Sequence, residues 1–345
     1  MKIMHGRNSS FVFDGSIILR PTAILIFFVF SFILSSCSLS SDDPCIRESE
    51  VLVEDTDAAA SDLDVPKNSY SDLSIPTEII KILDTYYIVD CYHDQVIYND
   101  NLRDPLEEWK VLTSEMSRGH TIAGDGRVYL VDDTENERIM VFQRVGDKYV
   151  FSQEFTGITG RPHYIIYDED SSTFYVWCSV SGQMYLMKRR DDDRVFISAV
   201  KTVTELAGVY VRSFTIMDGD IYFVSGNCSI IQADLDSFDV KERYPVPDTM
   251  AGMVQITRID GEYYITVSTD ANWDQDYATI IRCVSLKDLA EGKYEDIYSN
   301  FIGGGTPYYI TSFDGAYYMT EHRIPGHSVW RFNICDGNIV AETLY

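Results

Sequence analysis

The chain has 345 residues, of which 45% are hydrophobic and 13% aromatic, and its formal net charge is −26. A surface this acidic repels phosphate backbones and anionic lipid headgroups, which argues against nucleic acid as a partner. The length is sufficient for a large buried core.

The N-terminal region resembles a targeting segment. An apolar run at 23–34 follows three basic residues and leads into Leu34-Ser35-Ser36-Cys37. The run is too short to cross a bilayer as a helix and suits the core of a signal peptide. The tetrad resembles the bacterial lipobox, in which the cysteine carries diacylglycerol. We therefore expect a lipoprotein signal peptide over 1–36 and a lipid at Cys37, which would anchor the protein to a membrane of the cell envelope. An ordinary signal peptide and an uncleaved anchor are the alternatives.

The stretch after Cys37 has the composition of a linker. Residues 38–75 contain ten acidic and two basic residues, many Ser and Ala, and no apolar periodicity. Such a segment cannot bury enough apolar surface to fold by itself. We expect an acidic, disordered tether over 37–75.

The rest of the chain repeats one strand pattern. Short runs rich in Tyr, Val, Ile and Phe alternate with Asp-Gly or similar turns, which is typical of an all-β fold. Each of six units has an acidic turn followed by a strand that carries a tyrosine. These tyrosines are Tyr87, Tyr129, Tyr175, Tyr222, Tyr264 and Tyr318, spaced by 42, 46, 47, 42 and 54 residues. This period suits the four-stranded blade of a β-propeller.

The repeats predict a six-bladed β-propeller of four-stranded antiparallel blades over 76–345. The first unit already contains four candidate strands and the last unit runs to the end of the chain. We therefore expect the ring to close by docking of the first blade on the sixth, without an exchanged strand. A two-sheet sandwich is the alternative fold.

Two motifs resemble the NHL-repeat propellers. Asp132-x3-Asn136-x-Arg138 follows the strand Val128-Tyr-Leu-Val, and Arg161-Pro162-His163 opens another unit. The match is good in the second unit, partial in the first and third, and poor in the last three. Membership of the wider group of six-bladed propellers is therefore the safer implication.

The inner strands of a propeller begin around one opening of its central channel. Residues at or next to these starts are the candidate ligand-binding residues, because three arginines and two histidines among them suit an anion or a sugar acid. The set is Glu78, Arg118, His120, Arg161, His163, Arg212, Gln255 and Tyr309. In the alternative interpretation the arginines pair with acids of neighbouring blades, namely Asp90, Asp132 and Glu321.

His120 and His163 are also a weak candidate metal site. NHL-like lyases resemble this arrangement, with zinc held by histidines from several inner strands. Catalytic zinc needs three protein ligands, and only the distant His322 could supply a third histidine. Calcium-dependent lactonases resemble the scaffold too, with Glu78 as a candidate ligand, but the matching Asn residues are missing. We therefore expect no cofactor, with zinc or calcium as the alternative.

One polar insertion carries a tryptophan between carboxylates, Trp273. Such a side chain can stack on a sugar, anchor a protein partner, or fold back onto its blade. No complete catalytic motif is present. We therefore expect a non-enzymatic module that binds a carbohydrate, a peptide or a protein at the channel mouth. The alternatives are a metal-dependent lyase or hydrolase at the same mouth, and a structural assembly protein.

Overall fold

The computed structural model describes residues 46–50 and 65–345. Over these residues the chain forms six antiparallel sheets of four blade strands each, so the predicted six-bladed β-propeller is confirmed. The predicted signal peptide over 1–36 and the predicted lipid attachment at Cys37 lie outside the described residues.

The strands follow one another along the chain, blade by blade. After β1 (Arg47–Glu50), blade 1 contains β2 (Pro76–Ile82), β3 (Thr85–Asp90), β4 (Gln95–Asn99) and β5 (Lys110–Thr113). Blade 2 contains β6 (Ile122–Gly124), β7 (Val128–Asp133), β8 (Arg138–Val145) and β9 (Lys148–Thr156). Blade 3 contains β10 (Pro162–Asp168), β11 (Thr173–Cys178), β12 (Gln183–Arg189) and β13 (Val195–Thr202). Blade 4 contains β14 (Val211–Met217), β15 (Asp220–Ser225), β16 (Ser229–Asp234) and β17 (Val240–Pro245).

Blade 5 contains β18 (Met253–Ile259), β19 (Glu262–Val267), β20 (Thr279–Cys283) and β21 (Glu295–Asp296). Blade 6 contains β22 (Thr306–Phe313), β23 (Ala316–His322), β24 (Val329–Cys335) and β25 (Asn338–Thr343). Short 3-10 helices connect strands at Cys91–His93, Leu106–Glu108, Thr134–Asn136, Thr204–Leu206, Asp248–Met250, Gln275–Tyr277, Leu286–Glu291 and Tyr298–Asn300. None of the described helices is both long and apolar enough to span a bilayer.

The core of the described propeller lies between blades rather than within one of them. Six clusters of buried apolar side chains each join two neighbouring blades, and the last of them joins blade 6 to blade 1. In that cluster Ile79 and Ile88 of blade 1 pack with Tyr318 and Val329 of blade 6. The ring therefore closes by docking, as predicted, since each blade sheet takes its four strands from consecutive described strands of the chain.

The six repeat tyrosines are all buried between blades, but one of them faces the other way. In five blades the tyrosine is two residues after the start of its strand and packs on the following blade, as Tyr87 does. In blade 2, Tyr129 is only one residue after Val128 and packs back on blade 1, with its ring centroid 5.6 Å from that of Tyr87. A shift of one residue turns a strand side chain to the opposite face.

Two segments that the sequence assigned to the tether pair with outer strands instead. β1 pairs antiparallel with β9 of blade 2. On blade 1, Asn68 N–H donates to the Trp109 carbonyl at 2.7 Å and Val111 N–H donates to the Pro66 carbonyl at 2.8 Å. The outer strand of a blade has unpaired backbone groups, so an extended neighbouring segment satisfies them. The predicted disordered tether is therefore wrong for residues 47–50 and 66–68.

The C-terminal side chain connects the sixth blade to the first. The Tyr345 hydroxyl donates to the Asp104 carbonyl at 2.8 Å and accepts from Trp109 Nε1 at 3.2 Å. It also lies within hydrogen-bond distance of the Leu102 carbonyl. Tyr345 thus fixes a buried indole of blade 1 from the end of blade 6.

We expect Tyr345→Phe to lower the free energy of unfolding by about 1–2 kcal/mol, because it removes the hydroxyl that bonds to the buried Trp109 indole and to two carbonyls of blade 1. Urea unfolding followed by tryptophan fluorescence measures this change. Tyr277→Phe is the matched control, since its side chain is half exposed and lies in a surface loop. Equal stability of the two variants would contradict the assigned role of Tyr345.

Candidate functional site

Five of the predicted site residues meet at one end of the channel. We call this end the channel mouth and define it by Arg118, His120, Arg161, His163 and Arg212. The rings of His120 and His163 lie with their centroids 3.8 Å apart. Both come from the starts of neighbouring blades, as the repeat predicted. The Arg118 carbonyl bonds to His120, Arg161 lies two residues before His163, and the Arg212 guanidinium lies 5.4 Å from the ring of Tyr210, which bonds to His163.

Both histidines of the mouth are held neutral. His120 Nδ1 is 2.6 Å from the Arg118 carbonyl, and His163 Nε2 is 3.2 Å from the Tyr210 hydroxyl. Burial lowers the pKa of His120 to about 3, and the three arginine charges act in the same direction. Burial, followed by the neighbouring His120 and the charges of Arg212 and Arg161, holds the pKa of His163 well below its usual range.

The three arginines have different surroundings. Arg161 forms an ion pair with Glu135, with Nη2 2.8 Å from Oε1. The Arg118 guanidinium lies 3.7 Å from the centroid of the Tyr92 ring. Arg212 donates from Nη1 to the Gly252 carbonyl at 3.1 Å. Among the described residues, none of the three pairs with the acids that the alternative interpretation named: Asp90, Asp132 and Glu321.

Two arginine nitrogens at the mouth lack a partner. Arg118 Nη1 and Arg161 Nε are buried and have no hydrogen-bond acceptor among the described residues. A buried N–H without an acceptor costs about 1–3 kcal/mol, and more when it belongs to a charged group. The mouth therefore contains two arginine N–H donors whose hydrogen bonds are not satisfied within the described residues.

The other three predicted residues lie deeper in the channel. Glu78 accepts from the backbone N–H of Ile122 at 2.7 Å, and burial raises its pKa well above the usual range. Gln255 exchanges two hydrogen bonds with the backbone of Ile310, at 2.6 and 2.9 Å. Glu78 and Gln255 thus connect neighbouring blades. Tyr309 and Gln255 line a cavity of about 590 Å³ among the hairpin turns at the opposite opening.

The two consecutive aspartates at the end of β7, Asp132 and Asp133, have different partners. The Asn136 and Arg138 side chains bond to Asp133, at distances between 2.5 and 3.0 Å, and not to Asp132. Asp132 lies fully buried beneath the mouth and accepts from the backbone N–H groups of His120 and Thr121. Burial raises the pKa of Asp132 to about 6. The two consecutive aspartates in the sequence already indicated that the two carboxylates could have separate roles.

A pocket beside the mouth was not predicted as such. It has a volume of about 330 Å³, lies between blades 4 and 5, and we call it the blade 4–5 pocket. Its walls include Val209, Tyr210, Arg212, Met253, Thr269 and Trp273. The indole of Trp273 is 65% exposed and its ring centroid lies 6.4 Å from that of Tyr210. Tyr210 was missed; its place immediately before an inner strand, next to Arg212, was the usable signal.

The histidines of the mouth do not complete a metal site. Within residues 46–50 and 65–345, no group of three or more His, Cys, Asp or Glu side chains is placed to hold a metal ion. His322 is separated from His120 by the ring of Tyr308, whose centroid is 6.3 Å from that of His322 and 6.4 Å from that of His120. The ligand set therefore does not fit catalytic zinc, which needs three protein ligands.

Comparison with known proteins identifies the fold. No protein-family model matches the sequence, and no curated protein is significantly similar to it. A candidate 6-phosphogluconolactonase from Bacteroides uniformis is 11% identical, with a TM-score of 0.56 over 79% of this chain and 85% of that one. Another, from Bacteroides fragilis, is 12% identical, with a TM-score of 0.57 over 78% and 83% of the two chains. A streptogramin B lyase is 14% identical, with a TM-score of 0.55 over 87% and 88%. At these identities the likeness shows the fold alone.

The neutral His163 makes stability depend on pH. Its lowered pKa means that below the ordinary histidine value of about 6.5 only the unfolded chain binds this proton. The contribution of His163 is therefore lost as the pH falls. Between about pH 7.5 and about pH 5.5 we expect the wild-type protein to lose about 1.4 kcal/mol relative to His163→Gln.

Urea unfolding of both proteins at each pH measures this difference. Above about pH 8 the difference between them should be constant, because histidine is neutral in both states there. A difference that stays the same down to about pH 5.5 would show that His163 is protonated in the folded protein.

Proposed function

We propose that the protein is a non-enzymatic binding module whose channel mouth holds an anionic ligand. The observation that carries the proposal is the set of three arginines around a neutral histidine pair. Two of the arginine nitrogens in this set are buried without an acceptor. Arginine suits this task, because its planar group donates two parallel hydrogen bonds to a carboxylate or phosphate.

The charge balance at the mouth supports an anion. Glu135 offsets one of the three arginine charges. The carboxylate of Asp132, buried beneath the mouth with a pKa of about 6, offsets a second when it is ionised, which leaves one arginine charge without a counterpart. The rest of the protein is strongly acidic, with a net charge of −26. Anions are thus repelled over most of the surface and attracted at the mouth, which favours selective binding.

The same groups are poorly suited to catalysis. A general base works best when its pKa lies near the working pH, whereas the pKa of His120 is about 3. The competing function is a metal-dependent lyase or hydrolase, which the lyase and lactonase names of the proteins with a similar fold suggest. A shared fold does not transfer an activity, and the mouth lacks a third metal ligand among the described residues.

The module would act in the cell envelope. Its proposed anchor is the lipid on Cys37, for which the Leu34-Ser35-Ser36-Cys37 tetrad is the support. The ligand or partner would then be met outside the cytoplasm, as a carbohydrate, a peptide or a protein that presents an acidic group.

Sodium phosphate and sodium gluconate test the proposal as simple anions. At constant ionic strength we expect them to raise Tm, by about 2–4 °C for each kcal/mol of binding free energy. The double variant Arg118→Gln/Arg212→Gln should lose this rise. Arg258→Gln is the control variant, because Arg258 pairs with Asp218 far from the mouth, and it should show the same rise in Tm as the wild-type protein.

Two results would reject the proposed function. One is an equal rise in the wild-type protein and the double variant, which would place the anion elsewhere. The other is metal-dependent turnover of a lactone by the purified protein that disappears in His163→Gln, which would establish the enzyme instead.

A further inference from the structure

The blade 4–5 pocket continues directly from the channel mouth. Arg212 lines both, and the ring of Tyr210 lies between the pocket and His163, whose ring centroid is 5.9 Å from that of Tyr210. The pocket volume of about 330 Å³ lies within the range of small-molecule sites. A ligand whose anionic group lies on Arg212 would therefore extend into this pocket.

One wall of the pocket is an exposed indole in a fixed loop. The Asp270 carboxylate accepts from the backbone N–H groups of Asn272 at 2.7 Å and Asp274 at 2.8 Å. Between them Trp273 has a φ of 66°, a left-handed conformation that is uncommon for a bulky residue. The loop thus holds the large apolar surface of the Trp273 indole in solvent, where a ligand in the pocket would cover it.

The opposite side of the pocket is polar. Asn227 Oδ1 accepts from the hydroxyls of Ser225 and Ser229, both at 2.6 Å, which leaves the amide nitrogen as the free donor. The hydroxyl of Thr269, a residue only 5% exposed, has no hydrogen-bond partner among the described residues. Arg212 contributes Nε and Nη2, since among the described residues it donates to the Gly252 carbonyl and to the Ser268 hydroxyl through Nη1 alone.

We infer that this pocket binds the ring of an acidic saccharide, with the sugar carboxylate on Arg212. The inference rests on the proposed anion-binding function and adds the ligand class. A pyranose ring has an apolar C–H face that suits Trp273 and hydroxyls at its rim that suit Asn227 and Thr269. A flat aromatic acid would leave the polar groups unpaired, and a neutral sugar would leave the guanidinium of Arg212 without an anion.

Tri-galacturonic acid is the probe, and calorimetric titration of the full chain gives its affinity. Trp273 also reports binding directly, because the other three tryptophans, Trp109, Trp177 and Trp330, are buried. We expect the trisaccharide to change the fluorescence of Trp273. We also expect it to bind about tenfold more tightly than galactotriose, the matching neutral trisaccharide without carboxylates. Trp273→Ala should weaken trisaccharide binding about tenfold, and Tyr277→Ala, in the same loop, should not.

Phosphate binding separates this inference from the proposed function. Trp273→Ala should leave phosphate binding unchanged, whereas Arg212→Gln should weaken both phosphate and the trisaccharide. If phosphate binds at the mouth but the trisaccharide binds no more tightly than galactotriose, the saccharide inference is wrong and the proposed function stands. If neither phosphate nor the trisaccharide binds, both are wrong. Tighter binding of 4-hydroxybenzoate than of the trisaccharide would also overturn the ligand class.

Discussion

The structure depends on the burial of each blade between two neighbours. A four-stranded blade has two apolar faces, and neither is covered unless another blade lies against it. The six inter-blade clusters meet this need only because the last of them joins blade 6 to blade 1. Closure has a direct consequence for function, because it brings the starts of the inner strands together around one axis. Arg118 and Arg212, 94 positions apart in the chain, both approach His120 for this reason.

Polar residues on the inner strands divide into two groups according to what they bond. Side chains such as Glu78, Ser213 and Gln255 hydrogen-bond to the backbone of the next blade, at 2.5 to 2.9 Å. These contacts satisfy buried groups and hold the inner strands in register, so they serve the ring. Among the described residues, the arginines at the strand starts pair with one carboxylate, that of Glu135 in the preceding blade, which bonds to Arg161. The mouth is therefore the part of the channel where the arginine charges outnumber the carboxylates that pair with them.

The sequence predicted the fold, the unexchanged closure and the meeting of His120 with His163, because a repeat states which positions are equivalent. The sequence pattern did not predict features that depend on the exact length of a single turn within one blade. Blade 2 starts its second strand one residue closer to its tyrosine, so Tyr129 faces blade 1 although its spacing looks regular. It also did not separate Glu78 and Gln255 from the mouth, because depth along a channel depends on the bulge present in most inner strands. Tyr210 was missed for a different reason: it belongs to no repeat position, so the repeat did not single it out, and only its place just before an inner strand pointed to it.

The backbone at the mouth distinguishes what belongs to the scaffold from what belongs to the site. Arg118 and Arg161 have φ values of 55° and 63°, and Ile75, at the same place before the inner strand of blade 1, has a φ of 55°. The left-handed conformation therefore recurs in three blades whatever the side chain is. It belongs to the turn that leads into the inner strand. A β-branched isoleucine there is strained and makes no polar contact for the site, which shows that the scaffold tolerates the conformation without a ligand. The turn does not require the arginine side chains at two of the three positions, so the backbone conformation does not account for their place beside His120 and His163.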